Sequence, residues 1–350
     1  MVPGGDRLLG GLVAAVITLT ALAALVIGVA LYLRARNALV ARRWQRLEAQ
    51  WSAVLLDVMA GDEPPSRLHA LVPDSRATLF TDFLARYASR VRGAERLALA
   101  EAAAPWLPRL VRRARARDEA RRAVAVHTLG LLGMKQYAAE VVRALDDPSP
   151  LVAMTAARAL AHREHARWAP EILARLPRFD SWNRASLSAL LAGIGPAAAP
   201  ALREALANPA YPPQARAVAG EALRALNDLP AADTAARILR ASSDRDLCAT
   251  CLRLLRATGR PEHLDAVRRH LDSADAVLRA QAAGAFGAIA EPGEVTALLP
   301  RLADDSPWVV LEVARALASA GLVALLQSLA GSSSPGAAAA GQALAELEGA

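Results

Sequence analysis

The chain has 350 residues, of which 54 % are hydrophobic and only 4 % are aromatic. This composition is typical of a helical protein rich in alanine and leucine, and it argues against a β-rich enzyme with large aromatic pockets. The net charge of +7 is uneven, because residues 34–117 carry 16 arginines against 8 acidic residues, whereas residues 118–350 carry 24 basic and 25 acidic residues. A nucleic-acid-binding surface needs its basic excess where it meets phosphate, so this distribution disfavours such binding by residues 118–350.

The first element is an apolar run from Leu8 to Leu33, 26 residues without a charge. At about 1.5 Å of rise per residue, a helix of this length exceeds the roughly 30 Å hydrocarbon core of a bilayer. A cleaved signal peptide is the alternative, but its apolar region is usually about 7–15 residues long. We therefore predict an uncleaved transmembrane anchor over residues 1–33.

The charges that flank this run predict its orientation. Only Arg7 precedes the run, whereas five arginines follow it, namely Arg34, Arg36, Arg42, Arg43 and Arg46. The positive-inside rule places the rest of the chain in the cytoplasm, with the N-terminus outside a bacterial inner membrane. Anionic lipid headgroups are the expected partners of the Arg34–Arg46 segment.

Residues 34–117 form a predicted helical juxtamembrane connector. Its first helix runs to about Ala60, where Gly61 and the Pro64–Pro65 pair end it. A second helix is expected over about 75–92, with Asp74 as its N-cap and Gly93 as its C-terminal stop, and two shorter helices over about 94–104 and 106–117. Trp44 and Trp51 either anchor at the membrane interface or pack on the later helices, and we favour packing. The arginines between 109 and 117 face either lipid or solvent, and the sequence does not decide between these.

Residues 118–350 contain a repeat. The segments SPLVAMTAARAL (149–160) and SPWVVLEVARAL (306–317) are identical at seven of twelve positions. We call the last residue of this block the marker, and the seven markers recur every 31 or 32 residues: Leu129, Leu160, Leu191, Leu223, Leu255, Phe286 and Leu317. Positions 0, −4 and −8 relative to each marker lie on one helix face and are mostly apolar. This regular period predicts an all-α solenoid of about seven helix–turn–helix repeats with a C-terminal cap.

The repeat resembles the HEAT-repeat superfamily, specifically its short HEAT-like variant found also in phycobilisome-lyase proteins. The resemblance covers about residues 118–330 and is carried best by Asp147, Val152, Ala156, Ala157, Ala159 and Leu160. The family often places an arginine early in this helix, which here matches Arg122, Arg184, Arg216 and Arg279. The resemblance implies the solenoid fold and implies that the marker helices line its concave face.

No catalytic, cofactor-binding or metal site is predicted. Cys248 and Cys251 form a C-x-x-C pattern, but the pattern lies mid-helix and is expected to be structural. His162 and His165 lack a third and a fourth metal ligand nearby in sequence. Some HEAT-like enzymes bind iron through His-Glu dipeptides, and this chain contains no such dipeptide.

The predicted function is therefore a membrane-tethered scaffold or adaptor that binds a protein, itself expected to be membrane-associated. The alternatives are a HEAT-like lyase-type enzyme acting on a protein-bound chromophore, a nucleic-acid-binding HEAT-like protein, and an exported or sensory domain if the topology is inverted. The predicted protein-binding residues on the concave face are Leu151, Met154, Arg158, Trp182, Glu221, Arg253, Trp308, Leu311 and Arg315. Position −6, which holds Met154 and Leu311, is apolar in all seven repeats and is expected to form an exposed floor of this face. Alternatively, Trp182 and Trp308 merely cap the preceding turns.

Overall fold

The computed structural model describes residues 5–161, 167–179 and 182–349. Within the first helix, the side chains at 5–21, 23–24, 37, 40–41 and 43 lie outside this description. The described residues contain helices and no β-strand. The chain divides into two compact units, Met1–Leu110 with Leu131–Gly133, and Val111–Gly130 with Met134–Ala350.

The first unit is built around one long helix. Helix α1, Gly5–Ala60, ends where Gly61 takes a φ of 85°, a left-handed conformation that suits glycine. The predicted end at Ala60 is confirmed. The next four helices are α2 (Ser66–Leu71), α3 (Ala77–Ala88), α4 (Gly93–Ala103) and α5 (Leu107–Arg113).

Helix α3 is shorter at both ends than the second helix predicted from the sequence, which was expected over about 75–92. Asp74–Arg76 form a 3-10 turn before α3, and Asp74 caps no backbone N–H group. Its carboxylate instead accepts a hydrogen bond of 2.5 Å from Arg109 Nη2. Gly93, expected as the C-terminal stop, begins α4 with a φ of 57°.

An aromatic cluster forms the core of the first unit. Trp51 is buried, with its ring centroid 5.3 Å from that of Phe80 and 5.6 Å from that of Phe83. Trp44 meets Trp51 edge-on at 6.0 Å, and the guanidinium of Arg86 lies 4.2 Å from the Trp44 ring. The two tryptophans therefore pack on later helices, as favoured by the sequence pattern, and hold the C-terminal half of α1 in this unit.

The predicted membrane span lies in the N-terminal half of α1, and most of its side chains lie outside the described residues. Among the described residues, no single helix is both long and apolar enough to cross a membrane. One bent pair, Arg184–Gly193 and Pro196–Ala207, meets that criterion by length and composition alone, with a bend of 104° between its halves. Within the predicted span, the large apolar side chains that are described and exposed are Leu22, Leu25, Val26, Ile27, Val29, Leu31, Tyr32 and Leu33.

The second unit is a stack of helix pairs. Its helices are α6 (Glu119–Leu132), α7 (Met134–Arg143), α8 (Pro150–Leu160), α9 (Ala169–Ala174), α10 (Arg184–Gly193), α11 (Ala199–Ala207), α12 (Pro213–Ala225), α13 (Ala231–Ala241), α14 (Arg245–Thr258), α15 (Leu264–Arg268), α16 (Ala276–Ile289), α17 (Pro292–Val295), α18 (Pro307–Ser319), α19 (Val323–Ala330) and α20 (Ala337–Glu348). The even-numbered helices from α6 to α18 carry the markers, and we call them the marker helices. From α10 to α20 each even-numbered helix packs on the next, and α9, α11, α13 and α15 pack in series as a second layer.

The periodic markers form the core of this stack. All seven are fully buried, as are all seven residues at position −4. Position −8 is buried in five repeats, whereas Arg121 and Asn183 are exposed. Asn183 instead caps α10 by accepting a 2.8 Å hydrogen bond from the Ala185 N–H group. The prediction of an all-α solenoid built on this period is confirmed.

Arginine–aspartate pairs join the turns of neighbouring repeats. Arg122 binds Asp147 through Nε and Nη2 at 2.8 and 2.9 Å, and Arg279 binds Asp304 in the same way, both distances being 2.8 Å. In each pair the remaining Nη1 donates to two carbonyl groups of the preceding turn. Each aspartate also accepts from a serine N–H group, so these residues fix the turns and are not free to bind a ligand.

Candidate protein-interaction surface

The outward side of the marker helices follows from helix geometry. At about 100° per residue, positions −9, −5 and −2 point roughly 140–180° away from the marker, and position +1 points about 100° away. We call the exposed and partly exposed side chains at these four positions the marker-helix surface. Val218, Thr250 and Glu312, all at position −5, are buried beneath it. Leu151, Arg158 and Trp308 are exposed on it, whereas Trp182, Glu221, Arg253 and Arg315 are partly exposed.

One part of the predicted surface is wrong. Position −6 was expected to form an exposed apolar floor, but Ala123, Ala217, Ala249 and Ala280 are buried at this position. Six residues turn a helix through about 600°, which leaves position −6 about 120° from the marker, on the flank of the helix beside position +1, where a short side chain such as alanine is covered and only a long one reaches the surface. Met154 and Leu311, the large side chains at this position, remain partly exposed.

The two predicted surface tryptophans have different environments. The Trp182 ring stacks on the buried Phe179 ring with centroids 4.3 Å apart and an interplanar angle of 18°. This contact holds Trp182 against the segment that precedes α10, as the capping alternative expects. Trp308 lies in the first turn of α18 and is exposed, so it contributes an apolar ring to the surface.

Glu221 is the centre of a first ion-pair group on this surface. Its carboxylate accepts from Arg224 Nε at 2.9 Å and from Arg253 Nε and Nη2 at 2.7 and 2.5 Å. Thr250 Oγ1 accepts from the same Arg253 Nη2 at 3.1 Å. Burial alone would raise the pKa of Glu221, but the hydrogen bonds and charges of the two arginines hold this pKa below its usual value.

Glu312 is the centre of a second group and was not singled out by sequence reasoning. It is a buried carboxylate that accepts from Arg256 Nη1 and from Arg315 Nη1, both at 2.8 Å. Arg315 also donates to both carboxylate oxygens of Glu346 in α20, at 2.7 Å each. Position −5 holds valine, serine, threonine or glutamine in the other repeats. The only signal in the sequence was therefore an acidic residue at a repeat position that is otherwise uncharged.

Two ion pairs between marker helices skip a repeat. Arg256 in α14 reaches Glu312 in α18 past α16, and Arg184 in α10 reaches Asp246 in α14 past α12, at 2.8 Å. The hydrogen bond and charge of Arg184 hold the pKa of Asp246 below its usual value. Repeats of a solenoid ordinarily touch only their neighbours, so these contacts link next-nearest repeats along the marker helices.

The patterns tested for catalysis do not assemble a site in the described part of the chain. Cys248 and Cys251 are buried, and burial raises the pKa of both thiols, which disfavours the reactive thiolate. His162 and His165 lie outside the described residues. Among the residues that the structure describes, no three His, Cys, Asp or Glu side chains converge as metal ligands.

The fold and this surface define an all-α solenoid of two-helix repeats. Within it, residues 232–318, from α13 to α18, match the family of HEAT repeats. The resemblance predicted from the Asp-turn and the alanine-rich helix is thereby confirmed for this part of the chain. No curated protein sequence matches the chain.

Several solved structures are similar to this chain. Kap121p bound to Pho4p is 16 % identical with a TM-score of 0.45, over 78 % of this chain and 37 % of Kap121p. The CpcE–CpcF phycocyanin lyase of Nostoc sp. PCC7120 is 19 % identical with a TM-score of 0.32, over 69 % of this chain and 87 % of that chain. Human deoxyhypusine hydroxylase is 18 % identical with a TM-score of 0.32, over 79 % and 98 %. At these values the likenesses support no inference about activity or partners.

Proposed function

We propose that this protein is a non-enzymatic scaffold that binds a partner protein through its marker-helix surface. The observation that carries the proposal is the continuous series of packed helices from α10 to α20, which presents one long surface of charged and apolar side chains. Solenoids bury only neighbour contacts and therefore expose a large area for their mass, which suits the recognition of another protein. The match of residues 232–318 to HEAT repeats supports this class of function.

We further propose that residues 8–33 of α1 tether the scaffold to a membrane. Leu25, Val26 and Ile27 are consecutive and exposed, and so are Leu31, Tyr32 and Leu33. Consecutive residues of a helix point about 100° apart, so the apolar surface surrounds the helix instead of forming one stripe. Such a helix is favourable in hydrocarbon and unfavourable in water.

The orientation and the lipid contact belong to the same proposal. Arg34, Arg36, Arg42 and Arg46 are exposed just after the apolar run, where anionic headgroups would meet them. The excess of arginine on this side favours a cytoplasmic repeat unit under the positive-inside rule. A reporter fused after residue 350 should then be active in the cytoplasm and inactive outside it.

Membrane extraction tests the tether. The full chain should remain in the membrane pellet after washes with high salt and alkaline carbonate, and deletion of residues 1–33 should release it. As a matched control, glutamine at Arg34, Arg36, Arg42 and Arg46 should leave it in the pellet, because salt screens charge but not apolar burial. Salt extraction of the intact chain would contradict the tether.

Affinity capture tests the scaffold. The full chain, cross-linked in membranes and then solubilised, should enrich a protein that is lost when residues 118–350 are removed. Equal enrichment by both forms would move the binding site away from the repeats.

A further inference from the structure

The marker-helix surface of α12 and α14 presents guanidinium groups held by carboxylates that are less exposed than the arginines. The side chains of Glu221 and Glu312 are only 13 % and 8 % exposed, whereas those of Arg224, Arg253 and Arg256 are 44 %, 32 % and 45 % exposed. A ligand that approaches this surface therefore meets the arginines first. We call these three arginines, with Glu221 and Glu312, the arginine cluster.

The arginines of the cluster keep unused donors. Within the described residues, Arg224 donates through Nε alone, and Arg256 donates through Nη1 alone. Arg253 donates through Nε and Nη2, which leaves Nη1 unused. A guanidinium carries five N–H groups in a planar fork, so each arginine can bind a further acceptor while its present ion pair stays intact.

Gly284 leaves room for the guanidinium of Arg256. A Cβ atom at residue 284 would lie 2.6 Å from Arg256 Nη1 and 3.0 Å from Glu312 Oε2. The guanidinium of Arg256 thus rests directly on the backbone of α16 and is held between α14 and α18. An arginine already ordered in this way loses less conformational entropy when it binds, which favours a recognition site over a mobile surface charge.

We propose that the arginine cluster docks a carboxylate-rich segment of the partner protein, an inference that rests on the scaffold function proposed above. Carboxylates match the fork geometry of arginine and form bidentate charge-assisted hydrogen bonds with it. With Arg315 and Glu346 included, the group has four arginines and three glutamates, an excess of one positive charge. Two of these glutamates, Glu221 and Glu312, are its least exposed side chains. A nucleic acid is a poorer fit, because residues 118–350 carry 24 basic and 25 acidic residues and so lack the net positive charge that favours binding along a phosphate backbone.

Binding of a glutamate–serine peptide to the full chain in neutral detergent tests the proposal. The peptide carries fluorescein, and its anisotropy reports the dissociation constant. Arg253→Gln and Arg256→Gln should each weaken binding about tenfold, the effect expected for the loss of a hydrogen bond between charged groups. Arg240→Gln is the matched control, since Arg240 is exposed on α13 in the other layer, and it should leave binding unchanged. Residues 34–117 carry an excess of arginine that would also attract an acidic peptide. The dissociation constant of each variant is therefore compared with that of the wild type.

Two further variants separate an ordered site from diffuse attraction. Glu312→Gln makes the surface more positive, so diffuse attraction would tighten binding, whereas loss of the group that holds Arg256 should weaken it. Gly284→Ala changes no charge but displaces the Arg256 guanidinium, and it should weaken binding severalfold. Circular dichroism and thermal unfolding establish that each variant is folded.

Several outcomes would overturn the proposal. Wild-type affinity in Arg253→Gln and Arg256→Gln would do so, and so would tighter binding by Glu312→Gln. A thymidine oligonucleotide that binds with the same loss in these variants would assign the cluster to phosphate instead. If the repeats still capture their protein from membranes when both arginines are glutamine, this inference fails and the scaffold function stands. If the full chain captures no protein, both fail.

Discussion

Single side chains decide which polar groups are tolerated inside the repeat unit. Glu221 and Glu312 are largely withdrawn from water, and each meets two arginines. A buried carboxylate without partners would be costly, and the arginines offset this desolvation. Because Glu221 has a lowered pKa, its pairs favour folding at pH values at which the unfolded chain also carries the charge.

Acid should therefore weaken the repeat unit in part through Glu221. A group whose pKa is lowered by folding contributes stability above its unfolded value, here 4.5, and loses that contribution as the pH falls through its folded pKa. The free energy of unfolding should fall below about pH 4.5 in the wild type, and Glu221→Gln should show a shallower decline. Denaturant titrations at a series of pH values measure this, with the exposed Glu204→Gln as control. Parallel curves for the wild type and Glu221→Gln would argue against the ionised, paired carboxylate.

The two cysteines should behave as small apolar residues. Both thiols are buried, and burial raises their pKa, so neither should react with a thiol reagent until the repeat unit unfolds. Cys251→Ala should reduce stability by about 1 kcal/mol and leave partner capture unchanged. Rapid labelling of the native chain would instead revive a redox role for the C-x-x-C pattern.

At the scale of the helix, periodicity predicts neighbours but not more distant contacts. The markers Leu129 to Leu317 could be placed in the core because each helix face repeats the same apolar spacing and is covered by the adjacent repeat. The pair of Arg256 with Glu312 could not be predicted, since 56 residues separate them and their approach depends on how three stacked helices align. The burial of Ala217 and Ala280 escaped prediction for a related reason, because flank positions are covered only by a neighbouring helix.

Gly287 lies at a close contact between two marker helices. A Cβ atom at Gly287 would lie 2.3 Å from Ala316 Cβ and 2.9 Å from Ala316 Cα, so α16 and α18 would have to move apart. Gly287→Ala should therefore destabilise the repeat unit by about 1–3 kcal/mol, the range for overpacking. Gly341→Ala, in the open surroundings of α20, should instead stabilise it by up to about 1 kcal/mol through helix propensity. Thermal unfolding compares the two, and a shift of the same sign in both would contradict the close contact.

At the scale of the whole molecule, the chain combines a helix with an apolar N-terminal half and a stack of repeats with one ordered outer surface. A solenoid with neighbour contacts alone is expected to open repeat by repeat. The pairs of Arg184 with Asp246 and Arg256 with Glu312 add links between next-nearest repeats, so residues 184–312 should respond to a ligand as one body. We expect a partner bound anywhere along residues 184–312 to slow the hydrogen exchange of the backbone amides throughout this stretch.

Site-specific photo-crosslinking in intact membranes tests the central claim, that the marker-helix surface binds a partner protein. A benzoylphenylalanine residue replaces Leu151, Arg158 or Trp308 on that surface, and Arg237 or Arg240 on α13 as controls, all of which are exposed. Irradiation should link the first three positions to a common protein and leave the α13 positions without adducts. Adducts formed only from α13, or none from the marker-helix surface of the folded chain, would contradict the proposed binding surface.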